Sequence, residues 1–503
     1  MTKFNIFLTL SFILVLASCS SVDENMRAMI PDDAVGVVKI DVPSVLKKGG
    51  MINGETISIP EDLKKVIDDA NGNIVDEVNI IGDIFQNLSA SGIDVSKSAY
   101  VYFSPGIYRT VALFPLKDEE AAKSMVAKIA SGKMTEMSGI LFASHLDYGY
   151  AIDDDILLIG RFTNPVAADV ASTAASKIFD RGTPSLLEND DIRKCVDVEN
   201  CDLSAYLDVK GMVSVYKDNS RLSTIFGDFS ALDLIADVGI KAMTATVNFD
   251  KSRAKIKTDF IYDPKGDYSK LYDQVIASSN GGDGVTTLNS LPGELDTYFG
   301  IKINGSNLLK NPQLRVLIEM LESSAMSGGV DCKSMLETID GAVVFGIGKG
   351  QLVDYNYAVA AQSKNPEIIV DEIVDAANRG GQPPTKLKGE YMYDYGYQGI
   401  ALGQTEDVVY ARFVDFETGY TASWPALTEV MKKSTMVLYE KMMRSDSIEG
   451  YLSWGLLNKS HGEGTYTCER QGDNVVVSML KMMCWIEPKT SFEDEGDGYD
   501  YGF

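Results

Sequence analysis

The four residues Asp147-Tyr148-Gly149-Tyr150 recur without change as Asp394-Tyr395-Gly396-Tyr397, and this repetition decides the predicted architecture. Each copy is followed by an Arg-Phe pair, at Arg161-Phe162 and at Arg412-Phe413. Matching motifs in a fixed order are the sequence signature of an internal repeat. The chain is therefore predicted to contain two related halves.

Further matches lie upstream of each motif. The stretch Lys39–Lys47 (KIDVPSVLK) agrees with Lys302–Lys310 (KINGSNLLK) at both lysines, one isoleucine and one leucine. The runs that begin at Tyr108 and Tyr355 have the same separation as the two Tyr-rich motifs. We predict that residues 30–285 form the first half and that residues 286–490 repeat it.

Local patterns within each half predict alternating strands and helices. Ala34–Val42 is rich in valine and isoleucine, as strands are, whereas Asp118–Ala130 carries apolar residues at helical spacing. Ile140–Tyr150 and Ile156–Phe162 have the pattern of a hairpin around three aspartates. This interleaving predicts an α+β fold with two tandem related halves, each a mostly antiparallel sheet with helices packed on one face.

The beginning of the chain predicts where in the cell the protein is located. Lys3 precedes the apolar run Ile6–Ala17, and Leu16-Ala17-Ser18-Cys19 follows the pattern of a bacterial lipoprotein signal. The run is shorter than the roughly 20 residues that a membrane span needs. We predict that residues 1–18 are a signal peptide, that Cys19 carries the lipid (diacylglycerol and palmitate), and that residues 19–29 are a tether.

The residues after Cys19 bear on the final location. Ser20 occupies the position where an aspartate favours the inner membrane, so the outer membrane is expected. Asp23 and Glu24 then form a short acidic stretch, which resembles a surface-export signal but is also compatible with a solvated tether. The periplasmic face and the cell surface both remain open.

Charge narrows the choice of partners. The chain has 46 lysines and arginines against 72 aspartates and glutamates, a net charge of −26, and loss of Lys3 with the signal makes it one unit more negative. Such a field repels phosphate backbones. The sequence therefore predicts no nucleic acid partner, membrane attachment through the lipid, and an envelope protein or glycan as ligand.

A lipobox, a mature start of the type Ile30-Pro31-Asp32-Asp33-Ala34 and two similar halves together resemble an uncharacterised family of large Bacteroidota lipoproteins, known only as a domain of unknown function. The resemblance covers essentially the whole mature chain. It implies an envelope location and an internal repeat, and it brings no activity, substrate or catalytic residue.

Common catalytic motifs are missing from the sequence. His145 and His461 are the only histidines, and neither a Gly-x-Ser-x-Gly elbow nor a His-Glu-x-x-His motif occurs. We therefore predict no catalytic residue, no metal site and no cofactor, and a non-enzymatic binding or scaffold protein. The alternative is a carboxylate-dependent envelope hydrolase acting on glycan or peptide, because two acids distant in sequence can meet in space.

One aromatic pattern is a candidate ligand-binding site. In a strand, the four tyrosines of residues 391–397 would all lie on one face because they alternate with other residues: Tyr391, Tyr393, Tyr395 and Tyr397. Such a platform could stack sugars or hold an extended peptide. The competing interpretation is ordinary packing of the sheet against a helix or neighbouring strands.

Five cysteines remain after Cys19, an odd number for an exported chain. Cys195 with Cys201, and Cys468 with Cys484, are the plausible disulfide pairs, which leaves Cys332 over. The acidic residues 491–503 are predicted to form a flexible tail.

Overall fold

A computed structural model of the chain describes residues 22–483. Within that range it omits 54–55, 62, 66–87, 131, 154, 163–165, 181–183, 217–238, 281, 283, 292–294, 313–314, 316–317, 319–329, 350–354, 395–398, 414–424, 445–446 and 471. Cys19, Tyr395, Tyr397, Cys484 and the tail 491–503 thus lie outside the described residues.

Most of the described strands belong to one large antiparallel sheet. They are β1 (Gly36–Ile40), β4 (Ala99–Phe103), β5 (Tyr108–Pro115), β6 (Thr135–Met137), β7 (Ile140–His145), β8 (Tyr148–Asp153), β9 (Ile156–Phe162), β10 (Leu203–Asp208), β11 (Ile240–Phe249), β12 (Arg253–Tyr262), β13 (Thr297–Asn304), β14 (Ile339–Lys349), β15 (Tyr355–Ser363), β16 (Thr385–Leu387), β17 (Glu390–Asp394), β18 (Gly399–Gln404), β19 (Val408–Phe413), β20 (Met436–Arg444), β21 (Ser447–Leu456) and β22 (His461–Cys468). A separate pair consists of β2 (Ile52–Asn53) and β3 (Thr56–Ile57).

Strand pairing divides the large sheet into two arms that meet where β12 pairs with β22. We call this pairing the seam. Arm one runs outward from the seam as β12, β11, β10, β1, β4, β5, β9, β8, β7, β6. Arm two runs outward as β22, β21, β20, β13, β14, β15, β19, β18, β17, β16. Every pairing is antiparallel, and the fold is α+β with an open sheet.

Helices connect and cover the strands. They are α1 (22–28), α2 (Val42–Lys48), α3 (Glu119–Ile129), α4 (Ala168–Phe179), α5 (Asp190–Val196), α6 (Val209–Tyr216), α7 (Asp267–Leu271), α8 (Val285–Asn289), α9 (Gly305–Leu308), α10 (Cys332–Thr338), α11 (Pro366–Arg379), α12 (Pro425–Lys433) and α13 (Val475–Met483). Local sequence explains several helix starts. Asp118, for example, accepts a hydrogen bond from the Ala121 amide at 3.0 Å and so caps α3.

The helices pack on both faces of the sheet, so the prediction of helices on one face is wrong. Leu157 and Ile159 of β9 belong to the same buried cluster as Val126 of α3. Their neighbours in β9, among them Leu158, belong to a different cluster that contains Ala171 of α4. Because successive side chains of a strand point to opposite faces, α3 and α4 lie on opposite sides.

The seam is itself part of a hydrophobic core. Phe249 and Ala254 from arm one share a buried cluster with Tyr466 and Cys468 from arm two, and the valines at the start of α13 cover them. In the described part of the chain, no helix has the length and apolar character that crossing a membrane requires.

Candidate functional site

A cavity lies in arm one, between α4 and the stretch of chain that follows α1. Its volume is about 780 Å³. The floor is formed by β4 and β5, one wall by residues 28–33, and the other wall by α4. Its lining residues are Ala28, Met29, Pro31, Asp33, Tyr102, Ser104, Gly106, Ile107, Tyr108, Met137, Ser138, Asp169, Val170, Ser172, Thr173, Ala174, Lys177 and Ile178. We call this space the α4 cavity.

Tyr108 fixes α4 above the floor. Its hydroxyl donates a hydrogen bond to the Ala171 carbonyl at 2.9 Å, and its ring lies 5.1 Å from that of Phe162. The ring needs glycine beneath it, because a Cβ at Gly160 would lie 2.2 Å from its Cδ1 atom. A Cβ at Gly149 would similarly lie 2.8 Å from its hydroxyl. Gly149 of the repeated motif therefore leaves room for the tyrosine that holds the cavity wall in place.

A tight turn between β6 and β7 holds the same helix from its outer side. Ser138 has φ of 53°, in the left-handed region, and Gly139 follows it with φ of 81°. The Ser138 hydroxyl lies 3.2 Å from both the Ser172 and the Thr173 hydroxyls on α4. Both α4 hydroxyls also donate to the Asp169 carbonyl. The polar contacts at this end are therefore satisfied within the wall.

Ion pairs hold the opposite wall. Arg27, on α1, donates two hydrogen bonds of 2.7 Å to the Asp197 carboxylate, and its Nε lies 2.8 Å from Asp23. Lys39 of β1 also reaches Asp197 at 3.0 Å. A bidentate Arg–carboxylate pair fixes geometry more closely than a single contact does. Both walls of the α4 cavity are thus anchored to the sheet independently of any ligand.

Tyr102 on the floor has an unmatched polar atom. Its side chain is only 1% exposed, yet its hydroxyl has no hydrogen-bond partner among the described residues. Burial raises the pKa of this phenol, so the hydroxyl stays protonated and can donate. A buried donor without a partner costs about 1–3 kcal/mol. A ligand in the cavity that accepts a hydrogen bond would recover this energy.

Comparison with known proteins adds little. No family model and no curated protein matches the chain. Solved structures of TP0453, in crystal forms I, III and IV, each align with a TM-score of 0.29, at 11%, 11% and 12% sequence identity respectively. These alignments cover 47%, 50% and 46% of this chain and 78%, 86% and 79% of TP0453. Similarity this weak identifies neither a family nor an activity.

The tyrosines predicted as a binding platform lie far along arm two. Tyr391 and Tyr393 are in β17, and Tyr393 is 8% exposed within a cluster that includes Ile369 and Val370 of α11. Tyr391 borders the same cluster, and the Lys386 ammonium lies 4.7 Å from its ring centroid. The ring of Tyr393 therefore belongs to the core beneath a helix.

The structure also locates the cysteines and histidines. All four described cysteines, at 195, 201, 332 and 468, are free of disulfides, so the suggested Cys195–Cys201 bond is absent. His145 ends β7, half-buried. His461 lies at the seam, where its two ring nitrogens are 2.8 Å from Asp259 and 3.3 Å from Glu463. In the described residues, no group of three metal-ligating side chains converges.

Sequence reasoning missed Tyr102 and Tyr108, the two tyrosines that shape the α4 cavity. One signal was available: Gly149 sits inside the repeated motif, and a glycine within a strand often marks the close approach of another group. Tyr102 carried no comparable signal, because its missing hydrogen bond depends on which distant side chains reach β4.

Proposed function

We propose that this protein is a lipid-anchored, non-enzymatic binding protein of the bacterial outer membrane and that the α4 cavity is its binding site. The observation that carries the proposal is the cavity itself. Its lining is mostly apolar, and on its floor lies a buried hydroxyl without a partner among the described residues. Mostly apolar pockets with a few polar groups are typical of ligand sites.

The chemistry of the cavity indicates an amphiphilic ligand with an apolar body and one hydrogen-bond acceptor. Met29, Ile107 and Ile178 supply apolar contact, and Tyr102 supplies the donor. Val170 extends the apolar surface to the rim, where it is 45% exposed. An exposed valine beside an apolar cavity favours entry of an apolar group from outside.

The hydrolase alternative needs two convergent acids, at least one of them with a raised pKa. Two carboxylates, those of Asp33 and Asp169, line the α4 cavity. Burial raises the pKa of Glu440, but Glu440 lies on β20 in arm two, away from the residues that line the cavity. The geometry thus favours binding over hydrolysis.

Binding is tested with the neutral fluorophore N-phenyl-1-naphthylamine and the mature Cys19→Ala protein in buffer without detergent, because detergent micelles would themselves take up the probe. We expect saturable fluorescence enhancement. We also expect Val170→Asp to weaken binding by about tenfold or more, because the new carboxylate must lose water when an apolar ligand enters. Ile368→Asp is the matched control: Ile368 lies on α11 of arm two and is 37% exposed. An equal loss of affinity in both variants, or fluorescence enhancement without saturation, would refute binding in the α4 cavity.

Anchoring is tested separately. The proposal predicts that Cys19 incorporates radiolabelled palmitate and that the protein fractionates with outer membranes, whereas Cys19→Ala does neither. A Cys195→Ala variant provides the cysteine control, since Cys195 is a free thiol on α5. Labelling of Cys19→Ala at the level of the parent would contradict the anchor while leaving the cavity proposal standing.

We also propose that the two arms are copies of one unit. The support is the strand order, which runs outward from the seam through equivalent connections in both arms, together with the repeated motifs of the sequence. Under this proposal β1 corresponds to β13, and the Lys39 and Lys302 segments are the same element. Superposition of the arms in an experimental structure tests it, and arms with different strand order would contradict it.

A further inference from the structure

A second cavity, of about 330 Å³, lies at the seam beneath the end of α12. Its floor consists of residues from β12 and β22, and its wall consists of residues from α12 together with Ser434. It lies outside the α4 cavity and shares no lining residue with it. We call it the seam cavity.

Two lysines of β12 line the seam cavity from the same face of the sheet. Lys255 and Lys257 alternate along the strand and are both exposed. Lys257 is opposite Glu463 of β22, which in turn is opposite Gly455 of β21. A Cβ on Gly455 would point at the Ser434 side chain, so both lysines lie on the α12 side of the sheet. Two strand spacings, roughly 10 Å, separate β12 from β21, and extended lysine side chains can cross most of that distance.

These two lysines have no ion-pair or hydrogen-bond partner among the described residues. The other charges in the cavity are matched. Lys433 lies 3.8 Å from Glu429, and Glu463 lies 3.3 Å from His461. The lining therefore carries three lysines against two carboxylates, Glu429 and Glu463, a local excess of one positive charge in a chain whose net charge is −26. Salt screens exposed charges over about 8 Å, so nearby lysines outweigh distant carboxylates at this point.

Ser434 supplies the second, independent observation. It lines the seam cavity and is 2% exposed, and in the part of the chain that the structure describes its hydroxyl has no hydrogen-bond partner. Its backbone amide has a partner, because it donates a hydrogen bond to the Val430 carbonyl at 3.0 Å. The hydroxyl can sit there only because residue 455 is glycine: a Cβ would come within 2.0 Å of its oxygen. A donor without a described partner is thus buried in the wall of the cavity.

The geometry points to a binding site in the seam cavity for the phosphate group of a small phosphate ester, held by Lys255, Lys257 and the Ser434 hydroxyl. A phosphate monoester carries close to two negative charges at neutral pH and offers three acceptor oxygens. The two ammonium groups offset that charge, and the serine hydroxyl donates to one oxygen. Lys433, in the last turn of α12, offsets the carbonyl end of the helix that faces the site.

Isothermal titration calorimetry with inorganic phosphate and then glycerol 3-phosphate tests the site in the mature full-length protein. Saturable binding that weakens as sodium chloride rises is expected. Lys255→Gln/Lys257→Gln should weaken it by tenfold or more, and Ser434→Ala by about tenfold, because a hydrogen bond to a charged group is lost. Undetectable binding of both compounds, or unchanged affinity in the double variant, would overturn the proposal.

A matched control separates a site from general charge. Lys128→Gln/Lys133→Gln removes two exposed lysines from arm one and leaves the seam unchanged. Its affinity should equal that of the parent, and a loss equal to that of the seam variant would overturn the proposal. Circular dichroism verifies folding of each variant. Tighter binding of dihexanoyl phosphatidic acid than of glycerol 3-phosphate assigns the phosphate to a lipid headgroup, and equal or weaker binding assigns it to a soluble ester.

Discussion

The two arms carry a helix layer at the same place in the strand order, but the helices pack differently against the strands. In arm two, Leu288 of α8 and Leu427 and Met431 of α12 join one buried cluster over β14 and β15. In arm one, the chain after α1 and helix α4 stand apart over β4 and β5 and enclose about 780 Å³. One sheet pattern thus supports both a filled core and a binding cavity.

Side-chain size differs between the two floors at one pair of positions. Tyr102 of β4 lies opposite Val37, and under the proposed repeat the equivalent pair in arm two is Val344 and Gly300. Close packing in arm two depends on small residues, since a Cβ at Gly284 would lie 2.7 Å from the Met431 Cε. At this pair of positions the floor of arm one carries the larger side chains, although Tyr298 and Tyr439 also belong to the filled cluster of arm two.

The largest expected effect is a difference in the free energy of unfolding between variants in the filled layer of arm two and variants at the α4 cavity. Leu427→Ala removes a fully buried side chain from arm two and should lower the free energy of unfolding by about 2–5 kcal/mol. Ile178→Ala at the wall of the α4 cavity should cost only about 1 kcal/mol, because that side chain is half-buried and borders empty space. Chemical denaturation measures both. Equal losses would mean that the two layers are equally packed.

Neighbouring alanines on α4 give a second test, with opposite signs. Ala174 lines the cavity, so Ala174→Phe should fill it and raise the free energy of unfolding by about 0.5–2 kcal/mol. Ala175 is fully buried in the core, so Ala175→Phe should overpack it and cost about 1–3 kcal/mol. Thermal denaturation compares the variants. Destabilisation of both would show that the space beside Ala174 does not accept a ring.

Part of this architecture could be predicted from the sequence, and particular residues show where prediction stopped. The hairpin of β8 and β9 around three aspartates follows from local pattern, whereas the turn at Leu146-Asp147 that divides the predicted run Ile140–Tyr150 into β7 and β8 was not predicted. The helices on both faces also had a local signal, which the prediction did not use. Ile156–Ile159 is a continuous apolar run, and such runs are typical of strands covered on both sides.

The binding sites could not be predicted in the same way, because they depend on contacts between distant segments. Tyr100 and Tyr102 look equivalent in the sequence, but Tyr100 meets Arg27 and Asp23, whereas Tyr102 meets no partner. Ser434 becomes an unmatched donor only after β21 places Gly455 beside it. The residues that form these contacts are too far apart in the sequence for a local pattern to reveal them.

These two tyrosines of β4 give a third, smaller test. Tyr102→Phe removes an unpartnered hydroxyl and should raise the free energy of unfolding of the ligand-free protein by about 1 kcal/mol. Tyr100→Phe removes a hydroxyl bonded at 3.0 Å to both Arg27 and Asp23 and should lower it by about 1 kcal/mol, because those two remain paired with each other. The denaturant concentration at the midpoint of unfolding measures the stability of both variants. A loss for Tyr102→Phe would indicate that its hydroxyl is satisfied in solution.

The smallest expected effect concerns the seam that joins the arms. Hydrogen bonding to Asp259 of arm one raises the pKa of His461 of arm two, and Glu463 adds to the rise. The protonated ring therefore stabilises the folded protein fully below its unfolded pKa of about 6.5, and this contribution fades as pH rises through the higher folded pKa. It should amount to a few tenths of a kcal/mol, because the pair is partly exposed. His461→Gln should accordingly lower the thermal midpoint more below about pH 6 than above about pH 8. Asp259→Asn should shrink that difference, and a difference that grows with pH would show that the charged pair does not hold the arms together.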